Sequence, residues 1–99
     1  MRKKRNDRNY VIYRVNCDGD EYIGLTVAVG RAYLRSVKVR VQKHMSRANV
    51  ENKDWKFCKA LRWSDEVDYE VLEVIRGRKA AYQRERELIR LYRPELNTF

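Results

Sequence analysis

Tyr10-Val11-Ile12-Tyr13-Arg14-Val15-Asn16-Cys17-Asp18-Gly19-Asp20-Glu21-Tyr22-Ile23-Gly24-Leu25-Thr26 is the stretch that decides the fold. Residues 10–15 are aromatic and β-branched and read as a strand. Asp18-Gly19 is a dipeptide favoured in tight hairpin turns, whose central residues need positive φ. Residues 21–26 read as the returning strand. The ordered part of the chain therefore opens on a β-hairpin.

Working outward, residues 27–34 read as a loop, because Gly30 interrupts them. A helical period starts at Ser36. Val37, Val41, Met45 and Ala48 fall within about 80° of one another on a helical wheel. Arg40, His44 and Arg47 lie together beside that stripe, so one basic ridge borders the buried face. Residues 53–63 read as a second helix with Phe57, Cys58, Ala60 and Leu61 inward. Residues 68–75 read as a third strand. Residues 78–92 are strong helix formers that Pro94 terminates. The order β-β-α-α-β-α implies an α+β domain: a small three-stranded mixed or antiparallel sheet with about three helices. Residues 1–9 read as a flexible basic arm and residues 10–99 as one domain.

The 99 residues include 23 Lys plus Arg against 14 Asp plus Glu, a formal charge of +9. The excess is uneven. No acidic residue occurs from Tyr22 to Val50, a stretch holding Arg31, Arg35, Lys38, Arg40, Lys43 and Arg47. The arm adds Arg2, Lys3, Lys4, Arg5 and Arg8. Such a field attracts polyanions, of which nucleic acid is the commonest in a cell. No apolar run reaches the ~20 residues of a membrane span, and no apolar segment follows the basic N-terminus as a secretory signal requires. Cys17 and Cys58 are the only cysteines and His44 the only histidine, so a structural zinc site built from four Cys/His ligands is not available, while a disulfide stays open. Both cysteines read as reduced thiols of a cytoplasmic protein.

One carboxylate is out of place. Ala81, Leu88, Ile89 and Tyr92 form the apolar stripe of the last helix, and Glu85 falls within about 60° of them all. Glu87 points to solvent. An apolar setting penalises a charge unless it is paired or holds a cation. An internal salt bridge and a Mg²⁺ site are both open, Mg²⁺ needing only one or two carboxylates beside waters and phosphate oxygens.

Together these segments resemble the GIY-YIG nucleases. Val11-Ile12-Tyr13 and Tyr22-Ile23-Gly24 resemble the two half-motifs, with Thr26 where many members carry Ser or Thr. Arg40-Val-Gln-Lys-His44 resembles the family's Arg-x-x-x-His. Glu85-Arg-Glu-Leu-Ile-Arg-Leu-Tyr-Arg-Pro-Glu-Leu-Asn97 resembles the metal-ligand Glu and the Tyr-Arg-Pro and Asn of the bacterial excision-repair incision subunit. The likeness spans about residues 10–97. Two departures stand out. Tyr13 and Tyr22 are nine residues apart rather than about eleven, a change that preserves strand parity. Sixteen positions separate Gly24 from Arg40 rather than about eight, and the extra residues are assigned to the 27–34 loop. Arg31 or Arg35 could stand for Arg40, but only Arg40 has a histidine at i+4.

The resemblance implies a DNA endonuclease with one divalent ion, Mg²⁺ or Mn²⁺. It implies Glu85 as metal ligand, Arg40 as phosphate clamp, Tyr13 as general base and Tyr22 and His44 as water-orienting groups. Asn97 is expected to position Glu85 or the backbone near it. Arg31, Arg35, Lys38, Lys43 and Arg47 would contact DNA, expected to be double-stranded. No membrane partner is expected. A free-standing homing-type or phage mobile-element enzyme fits a domain of this size. The competing reading is a non-catalytic basic nucleic-acid-binding module, and charge alone would also allow an inhibitor of an acidic protein.

Overall fold

A computed structural model describes residues 8–50 and 56–97 of the chain. For residues 44–50 and Cys58 it describes the backbone alone. The elements run β1 (Asn9–Cys17), β2 (Asp20–Val27), α1 (Tyr33–Val50), α2 (Lys56–Trp63), β3 (Val67–Arg76) and α3 (Arg78–Tyr92). The sheet order is β2-β1-β3, and both pairings are antiparallel. The central strand is thus the first one made, flanked by its hairpin partner and by the strand that returns after two helices.

The hairpin forms where the sequence places it. Asp18 (φ 51°) and Gly19 (φ 99°) both adopt left-handed backbone, which matches the twist of paired strands. Asp18 has a second task. Its carboxylate accepts the backbone N–H groups of Asp65 and Glu66, both at 2.9 Å, and so ties the turn to the approach of β3.

Alternation along β1 divides the core in two. Val11, Tyr13, Val15 and Cys17 face α1 and α2, packing with Val37, Val41, Phe57 and Leu61. Ile12 faces the other way, with Ile23 and Leu88 under α3. Cys17 is a buried free thiol, and desolvation pushes its pKa up, which keeps it protonated and inert. No helix among the described residues is long and apolar enough to cross a membrane.

Three expectations shift. The arm was expected to extend to Asn9, but Asn9 begins β1 and the Arg8 carbonyl accepts the Gly77 N–H at 3.0 Å; residues 1–7 lie outside the described residues. The loop expected at 27–34 is confined to 28–32, since α1 starts at Tyr33. Ser36 lies in the first turn and closes it: its Oγ donates to the Ala32 carbonyl at 2.8 Å and accepts the Val29 N–H at 3.0 Å. Tyr92, expected inside the stripe of α3, is 50% exposed in the last turn of the helix, unlike Ala81 and Leu88, which are buried. Val37 and Val41 are buried as expected, while the Met45, Ala48 and Cys58 side chains lie outside the described residues.

The Asp18 clasp predicts an acid response. Two backbone donors, that of Glu66 first, lower its carboxyl pKa. A depressed folded-state pKa adds stability above the unfolded value, which is lost as pH falls through the folded one. Asp18→Asn should therefore lower Tm at neutral pH and show a smaller further drop on acidification below about pH 4 than the wild type. Equal acid sensitivity in thermal melts would place the effect elsewhere.

Candidate active site

The site is organised by the pairing of β1 with β2. Tyr13 lies directly opposite Gly24, and Val15 opposite Tyr22. Cross-strand partners share a face, so Tyr13, Gly24 and Tyr22 all point to one side of the sheet. The Tyr13 and Tyr22 rings are 6.3 Å apart, tilted by 44°. The shortened spacing between the tyrosines thus leaves both on the same face.

Gly24 is the residue that lets Tyr13 lie as it does. A Cβ at position 24 would sit 2.5 Å from Cζ and the hydroxyl of Tyr13, and 2.8 Å from Cε2 of Tyr22. The Tyr13 ring occupies the space a side chain would fill. On the opposite edge of β1, the pairing with β3 changes register between Ile12 and Tyr13. Such bulges re-aim side chains, and this one falls beside the phenol.

Other elements bring charge to Tyr13. The guanidinium of Arg40, from α1, hydrogen-bonds the Tyr13 hydroxyl, and the phenol also feels the charge of Glu85 from α3. Burial is the largest influence on Tyr13 and raises its pKa strongly; Tyr22 adds to that, and Arg40 opposes it. The phenol is therefore neutral in the free domain. Tyr22 is held in turn by Phe57 of α2, whose ring stacks on it with centroids 3.8 Å apart and planes within 3°.

Glu85 is half-buried, and desolvation is the main cause of its raised pKa, with neighbouring Arg86 pulling the other way. The carboxylates around it are paired. Arg84 binds Glu73 through two nitrogens, at 3.0 and 2.9 Å, and Glu87 at 3.0 Å. Arg14 binds Glu70. Among the described residues, no hydrogen bond or ion pair forms to the Glu85 carboxylate. No cluster of three metal-ligating side chains occurs among them either. A lone, partly desolvated carboxylate fits a cation whose other ligands are waters and substrate phosphate oxygens.

The profile of the GIY-YIG catalytic domain matches residues 9–98. The chain belongs to the GIY-YIG family. Its three-stranded antiparallel sheet and three helices are the GIY-YIG fold, and membership makes it a nuclease that hydrolyses phosphodiester bonds in nucleic acid. No curated protein and no solved structure matches the chain.

Within this GIY-YIG domain the structure brings Tyr13, Tyr22, Arg40 and Glu85 to one place. Arg40 is half-buried beside Val37 and Val41, whereas Arg31 and Arg35 are exposed earlier on the chain. His44 sits one turn beyond Arg40 on α1, but its side chain and that of Arg47 lie outside the described residues. Arg31, Arg35, Lys38 and Lys43 are exposed, as DNA-contacting groups would be.

Asn97 departs from expectation. It was expected on Glu85 or the backbone near it; its carboxamide instead clasps the backbone of Ile23. The Ile23 N–H donates to Asn97 Oδ1, and Asn97 Nδ2 donates to the Ile23 carbonyl, both at 2.9 Å. The tail leading to it runs along the outer edge of β2. Arg93 turns left-handed (φ 47°), Pro94 and Leu96 are buried, and the Leu96 N–H donates to the Glu21 carbonyl at 2.9 Å. The edge strand is thereby covered, and the residue between Tyr22 and Gly24 is fixed on both its polar groups. Sequence reading missed this clasp and the Phe57 stack. Phe57 was legible only as a core residue, and Asn97 only as a motif letter.

Two substitutions test the geometry. Gly24→Ala should cost about 1–3 kcal/mol by overpacking and should displace the Tyr13 ring, visible in thermal melts and in near-ultraviolet circular dichroism. Glu85→Gln should abolish cleavage while raising Tm at pH 7. The raised pKa of Glu85 means that folding favours the protonated form; its stability contribution is lost as pH rises through the folded value. The gain should vanish below about pH 4, where the wild-type carboxyl is neutral too. A fall in Tm at pH 7 would show Glu85 to be a structural pair member.

Proposed function

We propose that the domain is a divalent-metal-dependent DNA endonuclease that uses Tyr13, Arg40 and Glu85 at one phosphodiester. The observation that carries this is the half-buried Glu85, without a hydrogen bond or ion pair among the described residues, near the buried Tyr13 that Arg40 hydrogen-bonds. A purely binding surface has no use for a desolvated acid in a basic field, whereas a hydrolytic centre needs that acid to hold a cation.

When bound at Glu85, Mg²⁺ or Mn²⁺ supplies Lewis acidity to the phosphoryl oxygen and the departing 3′ oxygen, and positive charge near the phenol. Arg40 donates to the phosphate oxygens and neutralises charge that grows there, a task suited to a planar fork of donors. Tyr13 first loses its hydroxyl proton to solvent, and the phenolate then accepts the proton of the attacking water and returns to the neutral phenol. The hydrogen bond and charge of Arg40 favour that phenolate. Tyr22, clamped by Phe57, orients that water, with His44 placed one turn along α1 to relay the proton. Double-stranded DNA suits the run of exposed cations on α1, and an enzyme of this kind acts where DNA lies, in the cytoplasm of a bacterial or phage-infected cell.

Supercoiled plasmid incubated with and without Mg²⁺ or Mn²⁺ tests the reading. Conversion to open-circular and linear forms only with metal is expected. Discrete linear fragments would mark a homing-type specificity, and no cleavage by wild-type protein would overturn the assignment. Tyr13→Phe should slow single-turnover cleavage by about 10²–10⁴. Because the phenol must ionise before it acts, the wild-type rate should rise with pH, and Tyr13→Phe should lose that rise. A rise that survives in Tyr13→Phe would remove Tyr13 as the base.

A further inference from the structure

We propose that residues 28–32 and the outward face of the first two turns of α1 form an apolar nucleic-acid contact. In it Val29 and Val39 pack on the sugar and base edge beside the phosphate held by Arg40, while Arg35 and Lys43 take flanking phosphates. The proposal deepens the nuclease reading and rests on it.

Val29 is 71% exposed and Val39 43% exposed, so the fold does not use either to make its core. Both line a groove of about 310 Å³ that straddles the β2 edge and reaches Arg40 and Lys43, with Thr26, Leu25, Tyr10 and Tyr82 completing its walls. The two valines also line an adjoining hollow with Ala32, Arg35 and Ser36.

The segment is pinned in place. The Ala28 N–H donates to the Asn9 carbonyl at 2.8 Å, the Ala32 N–H donates to the Val29 carbonyl at 3.2 Å, and Gly30 (φ 59°) supplies the left-handed bend. Ser36, only 5% exposed, then holds both the Val29 N–H and the Ala32 carbonyl. A rigid backbone carrying a β-branched side chain loses little entropy on docking. This is the segment that lengthens the chain between Gly24 and Arg40, and its product is an apolar lip beside the clamp.

Charge names the occupant. No acid lies between Tyr22 and Val50, and the charged residues that line the two hollows, Arg35, Arg40 and Lys43, are cations. A partner must present negative charge and, within a few ångströms, apolar surface. A nucleotide does so with its phosphate and its sugar and base edge, and proteins that press apolar side chains against base steps exploit this pairing.

The test is binding of a fluorescent duplex of about 30 base pairs, followed by anisotropy over a range of KCl with EDTA present to prevent cleavage. The double variant Val29→Ser/Val39→Ser changes exposed side chains only and should stay folded. Its affinity should fall about tenfold at every salt concentration with an unchanged slope of log affinity on log salt, because apolar contacts release no counterions. Lys43→Ala should make that slope shallower. Equal affinity of the double variant and wild type would overturn the proposal and mark the patch for a protein partner. A changed slope in the double variant would overturn it too, as would a wild type that binds no duplex. Absent plasmid cleavage with the anisotropy difference intact would strike only the nuclease reading.

Discussion

A phenol ring lies across a residue that has no side chain, and the rest of the site depends on that fit. Tyr13 sits opposite Gly24, and the missing Cβ is what gives the ring its place. From there the hydroxyl meets Arg40 from one layer of helices and feels Glu85 from the other. A sheet keeps its two faces apart by construction, so chemistry that draws on both must occur at an edge. β2 is such an edge, and glycine is the residue that lets a side chain from β1 approach it closely.

The surrounding elements act as braces on that contact. Phe57 stacks on Tyr22 and makes α2 a support for a strand it would otherwise merely cover. The register change between Ile12 and Tyr13 adjusts the aim of the phenol from the opposite side. Electrostatics then sets a tension. Burial pushes Tyr13 and Glu85 toward their neutral forms, while the proposed mechanism uses both charged. The fold supplies Arg40 as a fixed cation beside the phenol, and under the proposed mechanism the remaining positive charge would come with the metal. Desolvation of this kind is costly to the resting protein and useful to a transition state, where each interaction in a water-poor pocket counts for more.

Much of this was legible in the residues. The hairpin followed from Asp18-Gly19 between β-branched runs, since local turn chemistry and local alternation suffice to specify it. The bounds of α3 were readable because its helix formers are uninterrupted and Pro94 ends them. Glu85 could be picked out from wheel geometry alone. The start of α1 was not readable: Tyr33 and Leu34 carry no cap signal, and the bond from Ser36 back to Ala32 is visible only once the turn exists. The partner of Asn97 was illegible for a deeper reason. The clasp joins positions 74 residues apart in the chain, and a carboxamide looks the same in sequence whether it serves a carboxylate or a strand edge. Tyr92 was misplaced because a wheel shows direction around a helix, not what packs against each of its turns.

The clasp on β2 bears on the order in which the site is assembled during synthesis. Tyr13, Tyr22 and Arg40 leave the ribosome early and Glu85 late, and the residues that secure the strand beneath the tyrosines come later still, at Leu96 and Asn97. A nascent chain made past Glu85 but not past Asn97 carries Tyr13, Tyr22, Arg40 and Glu85 on a sheet whose β2 edge these later residues do not yet cover. The order of synthesis therefore puts the bracing of β2 after the grouping of the site residues, so an uncovered edge at Ile23 is a state the chain passes through before residue 97 is made.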